Sequence, residues 1–320
     1  MKIKQLSSPS ETFDVEFPRD KPFDVVGFGT NSVDHLCIVA EYPRLDSKTE
    51  ILQYERLPGG QVATTCAFIS RMGLKAKYVG KTGDDDNGRF ALKTFRKDSI
   101  DTASVLVAPD TRNQFAIIII DGRSGEKTVL SQRDSGLDFG ESELEKDAVC
   151  CGRVLHLDGY DTRAAIRVAT WCREAGIPVV IDLDKVVDNC RELIEKVDFL
   201  IVSSNFPCEF TGRRDPAEAL AALADSFEGF LAVTMGASGA MAWVGGKGVR
   251  FPGIRVNAKD TTGAGDVFHG GFIYGILQNW PLEKIMRFAN TAAGLSCLSL
   301  GARSGIRPLR EILSFMQEHP

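Results

Sequence analysis

Apolar positions along this chain fall into short runs broken by polar, Gly- and Pro-rich stretches, and the period of each run indicates an element. Phe23 to Phe28 is a brief apolar run closing on Gly27-Phe28-Gly29, which reads as a buried strand leading into a loop. His35 to Val39 and Ile51 to Leu57 read as strands, with Pro43 between them. Pro58-Gly59-Gly60 then opens a helix. Val62, Ala63, Cys66, Ala67 and Ile69 recur at helical spacing up to Met72, and Gly73 stops it. Ala76 to Val79 is the next strand. The polar stretch from Thr82 to Gly88 has three adjacent carboxylates without EF-hand spacing, and it reads as the solvated start of a helix. Phe115 to Ile120 and Lys127 to Leu130 flank a turn sequence and form a β-hairpin pattern.

Beyond this hairpin, strand and helix patterns alternate. Strands are expected over 154–157, 179–183, 199–202 and 230–234, and helices over 162–174, 187–195 and 216–224. Such alternation with short connections predicts a three-layer α/β fold with a mostly parallel sheet between helices. Ligands in such folds bind beyond the carboxyl ends of the strands, where Asp158, Asp182, Asp184, Ser203, Ser204 and Thr234 fall. Glycines around short apolar pieces in 237–251 predict a β-meander. Helices follow from Asp266, over 282–300 and over 309–317. Residues 1–22 are polar, with Pro9, Pro18 and Pro22, and read as a loose N-terminal extension; residues 23–320 then form the main domain.

Composition narrows the function classes. The 320 residues are 43% hydrophobic and 25% charged, as in an ordinary globular protein with a sizeable core. A net charge of −5 without a basic stripe argues against nucleic-acid and membrane-surface partners. The start of the chain lacks a signal-peptide pattern, and the longest aliphatic run, Ile117 to Ile120, is too short for a span. Eight scattered cysteines without a C-x-x-C pattern suggest reduced thiols and a cytoplasmic location. Gly27-Phe28-Gly29 after a strand raises a dinucleotide site, but Ser32 replaces the third glycine and no helix pattern follows.

The richest chemistry lies at Asp260-Thr261-Thr262-Gly263-Ala264-Gly265-Asp266, ahead of the apolar segment from Val267 to Leu277. This is a Gly-rich turn feeding the start of a buried helix, where free N–H groups and the helix dipole suit a phosphate. Asp266 in the first helical turn is either a simple cap or a base beside a bound phosphate. The residues alone leave both open.

The seven-residue stretch resembles the C-terminal signature of the ribokinase-like (PfkB) family of carbohydrate kinases. The resemblance extends over about Phe23 to Phe315. It implies Asp266 as the catalytic base and the Gly263, Ala264 and Gly265 amides as an anion hole. It implies sugar contacts at Asp34, Gly59, Gly60 and Thr64, and ATP contacts at Thr234, Gly236, Gly239 and Asn290. ATP and Mg²⁺ are the expected cofactors, with Glu209 acting on Mg²⁺ through water. Asp260 and Thr262, with the loop Gly301-Ala302-Arg303-Ser304, resemble a site for a monovalent cation such as K⁺. Residues 35–57 and 113–131 match the family's β-sheet lid, whose exposed edges offer a route to a homodimer.

The sequence departs from the family at Ser32 and Thr64, where many members have Asn, and at Asn205 and Glu209, which stand one residue further apart than in the usual Asn-x-x-Glu. A sugar or sugar acid is the leading substrate class. A phosphosugar, a nucleoside and a silent binding role remain as alternatives.

Overall fold

The computed structural model describes residue 3 and residues 5–124 and 126–319. In chain order its strands are β1 (Phe23–Phe28), β2 (Ser32–Val39), β3 (Ile51–Gly59), β4 (Ala76–Val79), β5 (Lys81–Gly83), β6 (Leu106–Ala108), β7 (Phe115–Asp121), β8 (Lys127–Gln132), β9 (Gly152–Asp158), β10 (Val179–Leu183), β11 (Phe199–Ser203), β12 (Phe230–Thr234), β13 (Ala240–Val244) and β14 (Lys247–Phe251). The helices are α1 (Gln61–Arg71), α2 (Asp86–Lys97), α3 (Lys146–Val149), α4 (Thr162–Glu174), α5 (Cys190–Ile194), α6 (Phe206–Thr211), α7 (Pro216–Asp225), α8 (Ala264–Leu277), α9 (Leu282–Ser296) and α10 (Leu309–Glu318).

The central sheet runs β14-β13-β12-β11-β10-β9-β1-β4. Its pairings are parallel from β12 to β4, while β13 and β14 continue it as an antiparallel meander. The strands are apolar on both faces because helices cover both. One core joins the sheet to α1, α8, α9 and α10, through residues such as Phe68, Phe272 and Phe288. The other joins it to α4, α5 and α7, through Val168, Leu193 and Leu223. The expected three-layer arrangement is therefore the observed one.

A four-stranded sheet of order β3-β2-β7-β8 stands apart from this body. The two hairpin regions expected from sequence meet through parallel pairing of β2 with β7. Strand alternation gives the sheet two faces. The face bearing Asp34 also carries Leu36, Ala116, Ile118 and Ile120, which pack on Leu300. β1 is followed directly by strand β2 rather than a helix, as the rejection of a dinucleotide site required.

Three details differ from the pattern-based reading. The helix expected over 187–195 is only Cys190–Ile194, because Asn189 adopts a left-handed backbone (φ 56°) that cannot continue a helix. α9 ends at Ser296 rather than 300. Beyond it, the Cys297 carbonyl turns to accept the Lys259 N–H at 2.8 Å, drawing the chain toward Asp260. Lastly, the N-terminal extension is not loose. Ile3, Leu6 and Phe13 are buried. The Phe13 ring lies 5.0 to 6.0 Å from those of Phe199, Phe230 and Phe272. Leu6 and Glu11 accept backbone bonds from Gly245 and Leu282. The extension caps the strand ends at which Phe199 and Phe230 begin, and these rings would otherwise face water.

Phe13→Ala should therefore destabilise the fold by about 3 kcal/mol, the usual cost of emptying a buried aromatic site. Denaturant unfolding of the two proteins checks it; a change under about 0.5 kcal/mol, typical of surface sites, would mean the segment is peripheral.

Candidate active site

The carboxyl ends of β9 to β12 point toward the start of α8. Gly263 caps this helix in a left-handed conformation (φ 77°), where a Cβ would lie 2.4 Å from the Ala302 Cβ. Only glycine makes that turn and fits that contact. Above Gly265 the space is open: a Cβ there would meet nothing within 4 Å. The first-turn amides of α8 therefore face room for a ligand.

Asp266 is half-buried in this turn. Its carbonyl accepts a hydrogen bond from the Thr65 hydroxyl of α1 at 2.9 Å. Burial pushes its carboxyl well above the usual range, and the Asp182 charge adds to this; His269 opposes it. Asp182, at the end of β10, is raised in the same way by burial and then by Asp184 and Asp158. Its Oδ2 lies 3.5 Å from His269 Nδ1, and that nitrogen is 2.8 Å from the Gly265 carbonyl. Burial lowers the His269 pKa, so the neutral ring donates to Gly265 and braces the turn.

On one side of Asp266 lies the Asp34 region. The Asp34 carboxylate accepts from Ser32 Oγ at 3.0 Å, and a Cβ on Gly59 would come within 2.1 Å of it. Gly60 (φ 90°) stacks on the backbone of Asn31. Arg303, almost wholly buried, donates to the Gly59 carbonyl at 3.0 Å. Asp158 holds the loop after β1, accepting from the Thr30 N–H at 2.8 Å and hydroxyl at 2.7 Å. Around this turn Asn31 Oδ1, Gln61 Oε1 and Thr64 Oγ1 are buried without partners. Unpaired buried polar atoms are costly, so a grouping of them fits a ligand rich in hydroxyls.

On the other side lies a cavity of about 630 Å³. It is lined by Thr234, Gly236, Gly239 and Asn290, and by Ala264 and Gly265 of the turn. The Asn290 amide donates to the carbonyls of Phe251 and Pro252 at 3.0 and 3.2 Å, so it also anchors the segment leaving β14. A carboxylate at a helix start, with a polar pocket on one side and a roomy cavity on the other, is an arrangement that can serve phosphoryl transfer.

Residues 24–308 match the family described as pfkB family carbohydrate kinase. The chain belongs to that family. It is 25% identical to 5-dehydro-2-deoxygluconokinase of Geobacillus kaustophilus, over 95% of this chain and 96% of that protein. A solved structure of a putative ribokinase from Agrobacterium tumefaciens superposes with a TM-score of 0.86 at 26% identity, covering 92% and 98% of the two chains. Arabidopsis thaliana ribokinase, solved with ribose and ATP, superposes at 0.79 with 19% identity, over 92% and 99%. As a pfkB carbohydrate kinase, this chain is a phosphotransferase acting on a sugar hydroxyl. No helix among the described residues is long and apolar enough to cross a membrane.

The remaining residues expected for a pfkB kinase are distributed unevenly. Asp260 is buried beside the turn. Its Oδ1 accepts from Thr262 N–H and Oγ at 2.8 and 2.7 Å, and its Oδ2 accepts from Gly301 N–H at 2.8 Å. Glu209 is exposed on α6, where its charge acts on Cys190. Asp182 and Asp184 act on Asp266. Among the described residues no group of three or more His, Cys, Asp or Glu side chains is arranged to hold a metal ion. Sequence reasoning missed Thr65, His269 and Lys127, which act on the turn from α1, from one helical turn further along α8, and from the lid. Of these only His269, at i+3 from Asp266, carried a sequence signal.

Burial is the main cause that raises the Asp34 pKa from 3.8 to about 6, and Ser32 pulls against it. The fold thus favours protonated Asp34. Its stability contribution is full below pH 3.8 and falls as pH rises through about 6, by about 3 kcal/mol. Asp34→Asn should accordingly raise the melting temperature of the ligand-free protein at pH 7.5 and leave it unchanged near pH 4. An equal shift at both pH values would exclude this origin.

Proposed function

We propose that this kinase transfers the γ-phosphoryl group of ATP to a hydroxyl of a small, unphosphorylated sugar or sugar acid. Asp266 acts as general base, and the Gly263, Ala264 and Gly265 amides receive the charge that develops on the phosphoryl oxygens. The observation that carries the reading is the position of Asp266, between the hydroxyl-suited pocket at Asp34 and the cavity that Ala264 and Gly265 share with Thr234, Gly236 and Asn290.

The chemistry follows from the electrostatics. A carboxylate with raised proton affinity is a better acceptor for a hydroxyl proton than an ordinary aspartate. Asp34 and the unpaired atoms of Asn31, Gln61 and Thr64 orient the sugar. Thr65 and His269 hold the base and its turn, so little reorganisation remains for the transfer itself. Mg²⁺, when bound with the nucleotide, would screen the phosphate charges. Asp182, at the end of β10, and Asp184 just beyond it are the carboxylates that act on Asp266 and would hold the ion's water ligands.

Two substrate alternatives lose support. A phosphosugar calls for several free cations, but Lys81 pairs with Glu143 at 2.6 Å and Arg133 with Asp138 at 2.7 Å, while Arg112 is exposed and has no carboxylate partner among the described residues. Arg123 is engaged with Glu41 and Asp121 at the edge of the lid. A nucleoside calls for an aromatic inner lid face. Tyr54 instead bonds His35, whose ring meets Phe115 edge-on, and all three lie on the face opposite Asp34. That outer face also exposes Ile51, Tyr54, Ile117 and Leu130, and we read it as the contact for a second copy.

ADP release from MgATP against ribose, ketohexoses, sugar acids, fructose 6-phosphate and adenosine tests the reading. Turnover is expected with a member of the first three groups, and Asp266→Asn should reduce it ~10²–10⁴-fold while the protein stays folded. Near-wild-type kcat in that variant would remove Asp266 from the role. Light scattering is expected to give a dimer that Ile117→Glu splits; a monomeric wild type would rule out the lid contact.

A further inference from the structure

The loop expected to hold a monovalent cation already faces a positive charge. Lys127, the first residue of β8, stands opposite Ile120 of β7 on the inner face of the lid. Its Nζ donates to Thr262 Oγ at 2.8 Å and lies 3.6 Å from Asp260 Oδ1. The Thr262 hydroxyl passes its own hydrogen to Asp260 Oδ1. The result is an unbroken chain from ammonium to hydroxyl to carboxylate.

Burial makes this contact more than a surface pairing. The Asp260 side chain has no solvent exposure and that of Lys127 has 24%. Burial lowers the Lys127 pKa, while Asp260 and then Asp266 favour its charged form. Arg303, the other cation of the region, is committed to the Gly59 carbonyl and to Asp98. The donor set also fits a metal ion poorly. Three N–H and O–H donors already occupy Asp260, and Lys127 occupies the Thr262 oxygen. A second cation would meet the repulsion of the ammonium at close range.

We propose that the Lys127 ammonium takes the place of a monovalent cation at the turn bearing Asp266, so that this enzyme needs no K⁺ and completes the turn only when its lid is down. Lys127 is a positioning residue. It cancels the Asp260 charge, which would otherwise oppose an anion at the Gly263–Gly265 amides three to five residues away in the chain. Because the amine is borne by the lid, the turn acquires its counter-charge on closure.

The proposal rests on the kinase reading for its effect on rate, but its binding part is tested without any sugar. Melting temperatures and kcat are measured in potassium, sodium and choline chloride at equal ionic strength, for wild type, Lys127→Gln and Lys127→Arg. Wild type should be indifferent to the cation in both readouts. Lys127→Gln should lose about tenfold in kcat, less than removal of a direct anion-hole donor. It should also gain a K⁺-specific rise in melting temperature and recover part of its rate in K⁺. Lys127→Arg should remain close to wild type. A wild type stabilised or activated by K⁺ over choline would overturn the proposal, as would a Lys127→Gln protein indifferent to K⁺ in both readouts. Absence of sugar turnover in every protein would count against the kinase reading alone, since the melting comparison stands without it.

Discussion

The structure depends on keeping a carboxylate in the first turn of a buried helix. α8 is enclosed along nearly its whole length, so its start cannot relax toward solvent. Gly263 folds tightly against Ala302, Thr65 bonds the Asp266 carbonyl, and His269 reaches back to Gly265. Each brace comes from a different direction. Together they fix a charged group where burial and the Asp182 charge both work against its ionisation. The molecule bears this cost locally, and a ligand carrying positive charge relieves it.

The two halves of the cleft have opposite characters for the same reason. The Asp34 side is dense with polar atoms, several of them unpaired, and its Lys81 and Arg133 are matched with carboxylates. The side of the large cavity offers backbone, small residues and the apolar surfaces of Ile254, Val256 and Phe268. The first suits a small polyhydroxylated molecule, the second a larger flat one. The turn between them places Asp266 at the border of the two.

Much of this was legible in the chain. The parallel sheet followed from alternating periods, with strands 179–183 and 230–234 falling where the apolar runs placed them. The lid hairpins were legible too, because strand alternation and turn residues are local signals. All four residues expected to line the nucleotide site do line one cavity. What escaped was non-local. Phe13 in a polar, Pro-rich stretch gives no sign of the three rings it meets, and nothing in the neighbours of Lys127 points 135 residues ahead to Thr262. Arg303 was read as part of a loop, although its guanidinium runs inward to Gly59. Side chains that reach across elements leave no period in the sequence.

The short link between β1 and β2 has a further meaning. Residues 29–31 join the body to the lid, and Asp158 and Tyr78 hold them to the body through Thr30, Asn31 and the Gly29 carbonyl. Asp34 lies just beyond, already within the lid sheet. A molecule held at Asp34 would therefore rest on the lid sheet, while the cavity lined by Thr234, Gly236 and Asn290 belongs wholly to the body. Two ligands bound in this way would be sorted onto different parts of the fold, and Lys127 is the side chain that ties the one part to the other at Thr262.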